Sequence, residues 1–227
     1  MIQAGWFGDI AHLYARLMHR GGLAVSRQVL SGQPNWRASL AETGGGCFIQ
    51  LAVHYVHLFK WMMKARVVRV MAMTKNQHCP GIEGEDVACA ILEFSNGALA
   101  TIDMAWNTAG EQLSVHGTLG TCEYISNQTL MLDSLARDFN GHVVNYSGSS
   151  IQASPAAPGA AATQQISVVT APPLGDWRNP FNQHRMFLEA LLNSNQPFVS
   201  IASGTEDLQV VAAVYESAKT GAAVRLN

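Results

Sequence analysis

The sequence predicts an α+β fold: a large open, mainly antiparallel β-sheet with helices packed on one face. Three observations carry this. The segment Cys47–Lys64 is apolar almost all round, as a buried helix is. The stretch after it breaks into short alternating or β-branched runs separated by turn signals. Two further helical segments close the chain. Strands in succession with helices gathered to one side make an α+β domain, and a single domain over residues 1–227 accommodates them all.

In order, a turn at Gly5–Asp9 leads into Ile10–Leu17, whose pattern fits helix or strand. Gly21–Ser39 is rich in Gly, Ser, Pro and Gln and reads as a loop. Gly44-Gly45-Gly46 precedes the buried helix. Strand-like runs follow at Val67–Thr74, Asp86–Phe94, Ala98–Trp106, Gln112–Gly117, Thr121–Ser126 and Thr129–Asp133, an antiparallel meander by their turns. Asn96-Gly97 suits a hairpin because Gly accepts positive φ. Residues 136–163 are expected to form a flexible insertion, with Gly141–Thr163 especially rich in Gly, Ser, Ala and Pro. Gln165–Thr170 returns as a strand. Trp177-Arg178-Asn179-Pro180 leads to a helix over Asn182–Leu192. A second helix, Thr205–Thr220, starts at a threonine cap and stops at Gly221.

Composition narrows the function. Hydrophobic residues make up 48% and charged residues 13%, so the chain can bury a sizeable core and is not wholesale disordered. So few charges also point to surface hidden in an oligomer. The net charge of −2 and the absence of a basic patch argue against nucleic acid. No apolar run is long enough to span a membrane. Cys47, Cys79, Cys89 and Cys122 form no C-x-x-C pair, and the first residues lack the apolar core of a signal peptide. The expectation is reduced thiols in a cytoplasmic protein.

On the apolar helix Gln50, His54, His57, Trp61 and Lys64 fall within about one quadrant at roughly 100° per residue. Polar groups on such a helix cost free energy unless they have partners or face a wet cavity. That motivates a pocket along the stripe; the plainer alternative satisfies both histidines with backbone carbonyls. His54 and His57 have helical spacing for a metal, but no carboxylate or cysteine stands at matching spacing, so none is expected. Lys60, Lys64, Lys75 and Lys219 read as surface lysines before Schiff-base formers, and no G-x-S-x-G elbow is present.

The run Gly44-Gly45-Gly46-Cys47-Phe48-Ile49-Gln50-Leu51-Ala52-Val53-His54-Tyr55-Val56-His57, followed by Trp61, resembles the GGG…D…H…D…W helix of the Gfo/Idh/MocA family. These are NAD(P)-dependent oxidoreductases of sugars and cyclitols. Other pieces agree in order: Gly5–Tyr14, Trp36-Arg37, Glu85-Asp86, Val115-His116-Gly117-Thr118-Leu119-Gly120 and Tyr215-Glu216-Ser217-Ala218. The resemblance covers nearly the whole chain and rests on their collinearity. It implies that Ile10–Arg16 is a strand. It also implies a sheet whose outer face pairs with further copies, as a homodimer or homotetramer.

It further implies that His54 lies beside the reacting hydroxyl, where an imidazole can take a proton. Gln50, His57, Arg16, Arg37, Trp36 and His184 become candidates to line a pocket for a sugar or polyol. Two departures matter. Gln50 and His57 stand where the family has aspartates, and a neutral amide orients a histidine without stabilising its charge. No G-x-G-x-x-G follows a strand and no E-K-P is found, so no cofactor is expected on this chain alone; NAD(P) is implied only for full-length members. Met1 falls where the family's second domain begins, as a shortened product or a natural short form would. The expectation is a substrate-binding and oligomerisation domain that is not redox-competent alone. The alternatives are a stand-alone cofactor-independent enzyme (lyase, aldolase-like or hydrolase) with His54 as acid/base, and a non-catalytic dimeric scaffold.

Overall fold

The computed structural model describes residues 2, 5–125, 129–134, 142–147, 150–155, 167–170, 180–197 and 199–227. Its main sheet has nine strands: β1 (Ile10–Met18), β2 (Val67–Lys75), β3 (Val87–Phe94), β4 (Leu99–Ala105), β5 (Gly110–Gly117), β6 (Gly120–Ile125), β7 (Thr129–Ser134), β10 (Ser167–Thr170) and β11 (Val224–Arg225). Two more, β8 (His142–Ser147) and β9 (Ser150–Pro155), form a separate hairpin. The helices are α1 (Gly21–Leu30), α2 (Leu40–Thr43), α3 (Val53–Met63), α4 (Pro180–Leu192) and α5 (Ile201–Thr220).

The strand order β10-β7-β6-β5-β1-β4-β3-β2-β11 departs from a simple meander. β1 inserts between β4 and β5, parallel to β4 and antiparallel to β5; the other neighbouring strands pair antiparallel. Pattern alone left Ile10–Leu17 undecided; its strand is completed by partners far along the chain, with Leu13 opposite Ala100 and Val115. The expected Asn-Gly hairpin forms between β3 and β4, with Gly97 at φ 86° and its N–H donated to the Phe94 carbonyl.

Alternation sorts the two faces. Leu13, Ala15, Val70, Ala72, Ala88, Ala90, Leu92, Ala100, Ile102 and Met104 are buried, and they share a core with Phe48, Ala52, Val56, Phe59, Val210, Val211 and Val214 from the helical layer. The opposite face carries His12, Tyr14 and Arg16 on β1, with Met71, Met73, Ile91 and Leu99 exposed on β2 to β4.

Three local expectations are corrected. Gly21–Ser39 is not one loop: Gly21–Leu30 is helical, because Gly22 lets the helix lie directly on Trp106, where any Cβ would overlap that side chain. Gly32, at φ 84°, follows its end. The buried helix is not uniform, since Phe48–Ala52 is π-helical before α3 begins, and Lys64 ends it in the left-handed region. Helix α5 starts earlier than Thr205. Its cap is Ser200, whose hydroxyl accepts from Ser203 N–H, while the Thr205 hydroxyl donates back to the Ile201 carbonyl. Within the stretch expected to be an insertion, the described backbone is the β8–β9 hairpin. Trp177, Arg178 and Asn179 lie outside the described residues.

Candidate functional site

The glycine triplet turns the chain from α2 into the π-helical segment, and Glu85 organises that turn. Its carboxylate, 8% exposed, accepts from Gly46 N–H at 2.9 Å and Phe48 N–H at 2.7 Å, while its carbonyl accepts from Cys47 N–H. These N–H groups would otherwise have no intrahelical partner, and a carboxylate there also suits the helix dipole. The Tyr215 hydroxyl completes the clamp: it donates to Glu85 Oε1 at 2.9 Å and accepts from Ile49 N–H at 3.1 Å. Burial and the adjacent Glu85 charge push the Tyr215 phenol well above its ordinary range. Two glycines are required by close approach: a Cβ on Gly45 would strike the Tyr215 hydroxyl, and one on Gly46 the Glu85 carbonyl.

Downstream of this turn lie the candidate residues. The Gln50 amide NH₂ donates to the carbonyls of Arg37 (3.2 Å) and Gly45 (3.4 Å), and Gln50 Oε1 accepts from Arg37 Nη1 at 3.4 Å. The Arg37 guanidinium sits 4.7 Å from the centre of the Trp36 ring, a cation–π contact. Asn35 sets the approach by accepting Arg37 N–H at 3.0 Å at the start of the 3-10 turn Trp36–Ala38. His54 follows on α3, exposed, with no hydrogen bond to the described residues. Trp36, Arg37 and Gln50 are thus joined by contact, and the exposed His54 stands four residues after Gln50 on the same helix.

Sequence reasoning missed His19, just past the end of β1. Its Nδ1 accepts Gly21 N–H at 3.0 Å, so the neutral ring carries its proton on Nε2. Burial, and then the Arg37 charge, push His19 below the ordinary imidazole range. The available signal was a polar side chain at the carboxyl end of a strand ahead of Gly-Gly, a place where mixed sheets often hold ligands.

The polar stripe does not act as one unit. The π-helical segment has more residues per turn than an α-helix, so Gln50 is rotated out of the register that about 100° per residue assumes. His57 belongs to the α3–α5 contact: its Nδ1 donates to Asp207 Oδ2 at 2.8 Å, and Lys60 Nζ bridges Asp207 (2.9 Å) and Glu206 (2.8 Å). Burial alone would lower Lys60, but these two carboxylates win and raise it. A cavity of about 270 Å³ opens there, lined by His57, Lys60, Trp61, Lys64, Arg66 and Glu206.

Two candidates fall elsewhere. Arg16 projects from the outer face of β1, opposite Asp103 and Gln112 in register, so the sheet separates it from His54. His184 is exposed on α4, and no described hydrogen bond or ring contact joins it to Gln50 or His54. Among the described residues no group of three or more His, Cys, Asp or Glu could hold a metal ion, and no helix is long and apolar enough to cross a membrane. The thiol of Cys79 is pushed up to about 12, chiefly by burial and then by Asp86, so it is a poor nucleophile at neutral pH.

The glycine turn cannot double as a diphosphate cradle. Such a cradle needs free N–H groups at a helix start, and here the N–H groups of Gly46 and Phe48 are committed to the Glu85 carboxylate, whose charge repels an anion. At the start of α1, Gly21 N–H is likewise committed to His19. Neither of these two turns offers a diphosphate free N–H groups.

Comparison with known proteins bears on the whole arrangement. The family model for the GFO/IDH/MocA C-terminal domain matches residues 1–123. No curated protein sequence matches. Among solved structures, a levoglucosan dehydrogenase in complex with NADH superimposes with a TM-score of 0.75 at 15% identity, over 100% of this chain and 61% of that one. An aldose-aldose oxidoreductase from Caulobacter crescentus, complexed with glycerol, gives 0.70 at 19%, over 99% and 58%. The WlbA dehydrogenase from Bordetella pertussis, in complex with NADH and UDP-GlcNAcA, gives 0.67 at 21%, over 100% and 57%. The chain thus spans about three-fifths of each of these relatives, and at these identities the likeness establishes the fold.

Proposed function

The chain belongs to the Gfo/Idh/MocA family, and on that footing we propose that it is a substrate-binding and oligomerisation domain for a sugar or polyol, not redox-competent by itself. The observation that carries this is the contact cluster of Trp36, Arg37 and Gln50, four residues ahead of the exposed His54, on a turn fixed by Glu85 and Tyr215. A flat aromatic ring suits the face of a sugar, the amide and guanidinium supply directed hydrogen bonds, and the open imidazole can take a hydroxyl proton. Hydride transfer would need nucleotide-binding groups from outside the described residues. The Glu85-filled turn supports that division.

The outer sheet face supports the second half of the proposal. Met71, Met73, Ile91 and Leu99 are 50%, 76%, 51% and 44% exposed, an apolar row on neighbouring strands suited to pairing with a second copy.

Saturation-transfer NMR with monosaccharides, alongside a fluorescence titration with NADH, tests the proposal. The expected result is sugar binding weakened by His54→Ala, with no saturable NADH binding at micromolar concentration. Tight NADH binding by this chain would overturn it.

A further inference from the structure

The site described above has a charge that its own residues leave unanswered. Arg37 is held in place twice, by the Trp36 ring at 4.7 Å and by Gln50 Oε1 at 3.4 Å, and both partners are neutral. Among the described residues no carboxylate forms an ion pair with it. Of the nearby acids, Glu42 on α2 is exposed and makes no ion pair with it, and the other two are turned to other tasks. Glu85 is buried behind the glycine turn, with its oxygens on Gly46 N–H, Phe48 N–H and the Tyr215 hydroxyl, and Glu83 Oε2 accepts Leu40 N–H at 2.6 Å. The other titratable groups here, His19 and His54, are neutral or positive in every protonation state. A neutral sugar would leave the guanidinium to water. An anionic group would gain a charge-assisted hydrogen bond that can be bidentate.

We propose that this site takes an acidic sugar, one bearing a carboxylate or phosphate, whose anionic group pairs with Arg37 while Trp36 packs on the ring and Gln50 and His54 face its hydroxyls. The inference rests on reading this cluster as the sugar site, and it names the class of sugar.

Gln50 is where the selectivity resides. A carboxylate at this place would pair with Arg37 at the distance where the amide oxygen now sits, cancelling the charge a ligand could use. The amide holds the arginine without neutralising it.

Titrations of the whole chain with D-glucuronate, glucose 6-phosphate and D-glucose, followed by ligand-observed NMR, test this. The expected result is that at least one acid binds roughly tenfold more tightly than glucose, the scale of one charge-assisted contact. Whichever acid is preferred identifies the anionic group. Arg37→Gln removes the positive charge and Gln50→Glu neutralises it internally; the readout in each is the ratio of acid to glucose affinity, which is expected to fall to about one however much glucose binding itself changes. Circular dichroism confirms that each variant folds. Equal binding of all three sugars, or a preference that survives both variants, overturns the inference and leaves the sugar site standing. No binding of any sugar contradicts the sugar site itself, and the inference with it.

Discussion

Glu85 reaches from the segment before β3 to accept the Phe48 N–H at 2.7 Å, so one buried carboxylate sets where the helix bearing Gln50 and His54 begins. Glu85→Ala strands the N–H groups of Gly46 and Phe48 in a buried setting and is expected to lower stability by about 3 kcal/mol. Tyr215→Phe loses the bridge to Ile49 and costs less, about 1 kcal/mol. Urea unfolding of both variants checks this order; a Glu85→Ala loss no larger than that of Tyr215→Phe would remove Glu85 from this role.

Gly46→Ala places a Cβ against the Glu85 carbonyl, which is backbone and cannot swing aside. A loss of about 2 kcal/mol or more is expected, with Gly97→Ala as the contrast. Gly97 has open space around it, so its penalty comes only from the positive φ, about 1 kcal/mol. Thermal unfolding of the two proteins gives the comparison.

Asp207, 3% exposed, accepts from both His57 and Lys60. Removing it leaves Lys60, largely buried, with only the exposed Glu206 as counter-ion. Asp207→Ala is expected to cost about 3 kcal/mol, whereas Glu206→Ala should cost about 0.5 kcal/mol. Equal losses in the two variants would show that α3 and α5 are not joined through Asp207.

Two histidines set a pH dependence. Burial and the neighbouring His116 lower His12; burial and Arg37 lower His19. The unfolded chain then binds protons near the ordinary value of 6.5 while the folded chain does not, so stability rises with pH across this window. The contribution is complete above 6.5 and is lost as pH falls below it towards the lowered values. The unfolding midpoint should drop between about pH 7.5 and about pH 5.5, and His12→Gln combined with His19→Gln should flatten the drop. An unchanged slope in that double variant would exclude these residues as its source.

What the sequence revealed follows the range of the forces involved. The alternation in Val67–Thr74 and Asp86–Phe94, and the Asn96-Gly97 turn, are local, and they produced β2, β3 and the hairpin to β4 within a residue or so. The placement of β1 between β4 and β5 depends on partners far along the chain, and only family resemblance made Ile10–Arg16 a strand. At the site, the contact between Gln50 and Arg37 could not be read from the sequence, where thirteen residues separate them. Gln50 fell out of the stripe because a π-helical segment, which leaves no compositional trace, shifts the angular count, while His57, Trp61 and Lys64 line one cavity together. Arg16 looked like a pocket residue because its strand's face could not be chosen before the sheet order was known. His19 is set by Gly21, its local signal in sequence, and by Arg37, eighteen residues away, which nothing local marks.

If Trp36, Arg37, Gln50 and His54 form a single ligand surface, they respond to one ligand together. Amide chemical-shift mapping during a D-glucuronate titration tests this directly. Shifts that saturate together at residues 36, 37, 50 and 54, with β2 and β3 unmoved, are expected. Shifts confined to the cavity around Lys60 and Lys64, or to the outer sheet face at Arg16, would contradict such a surface.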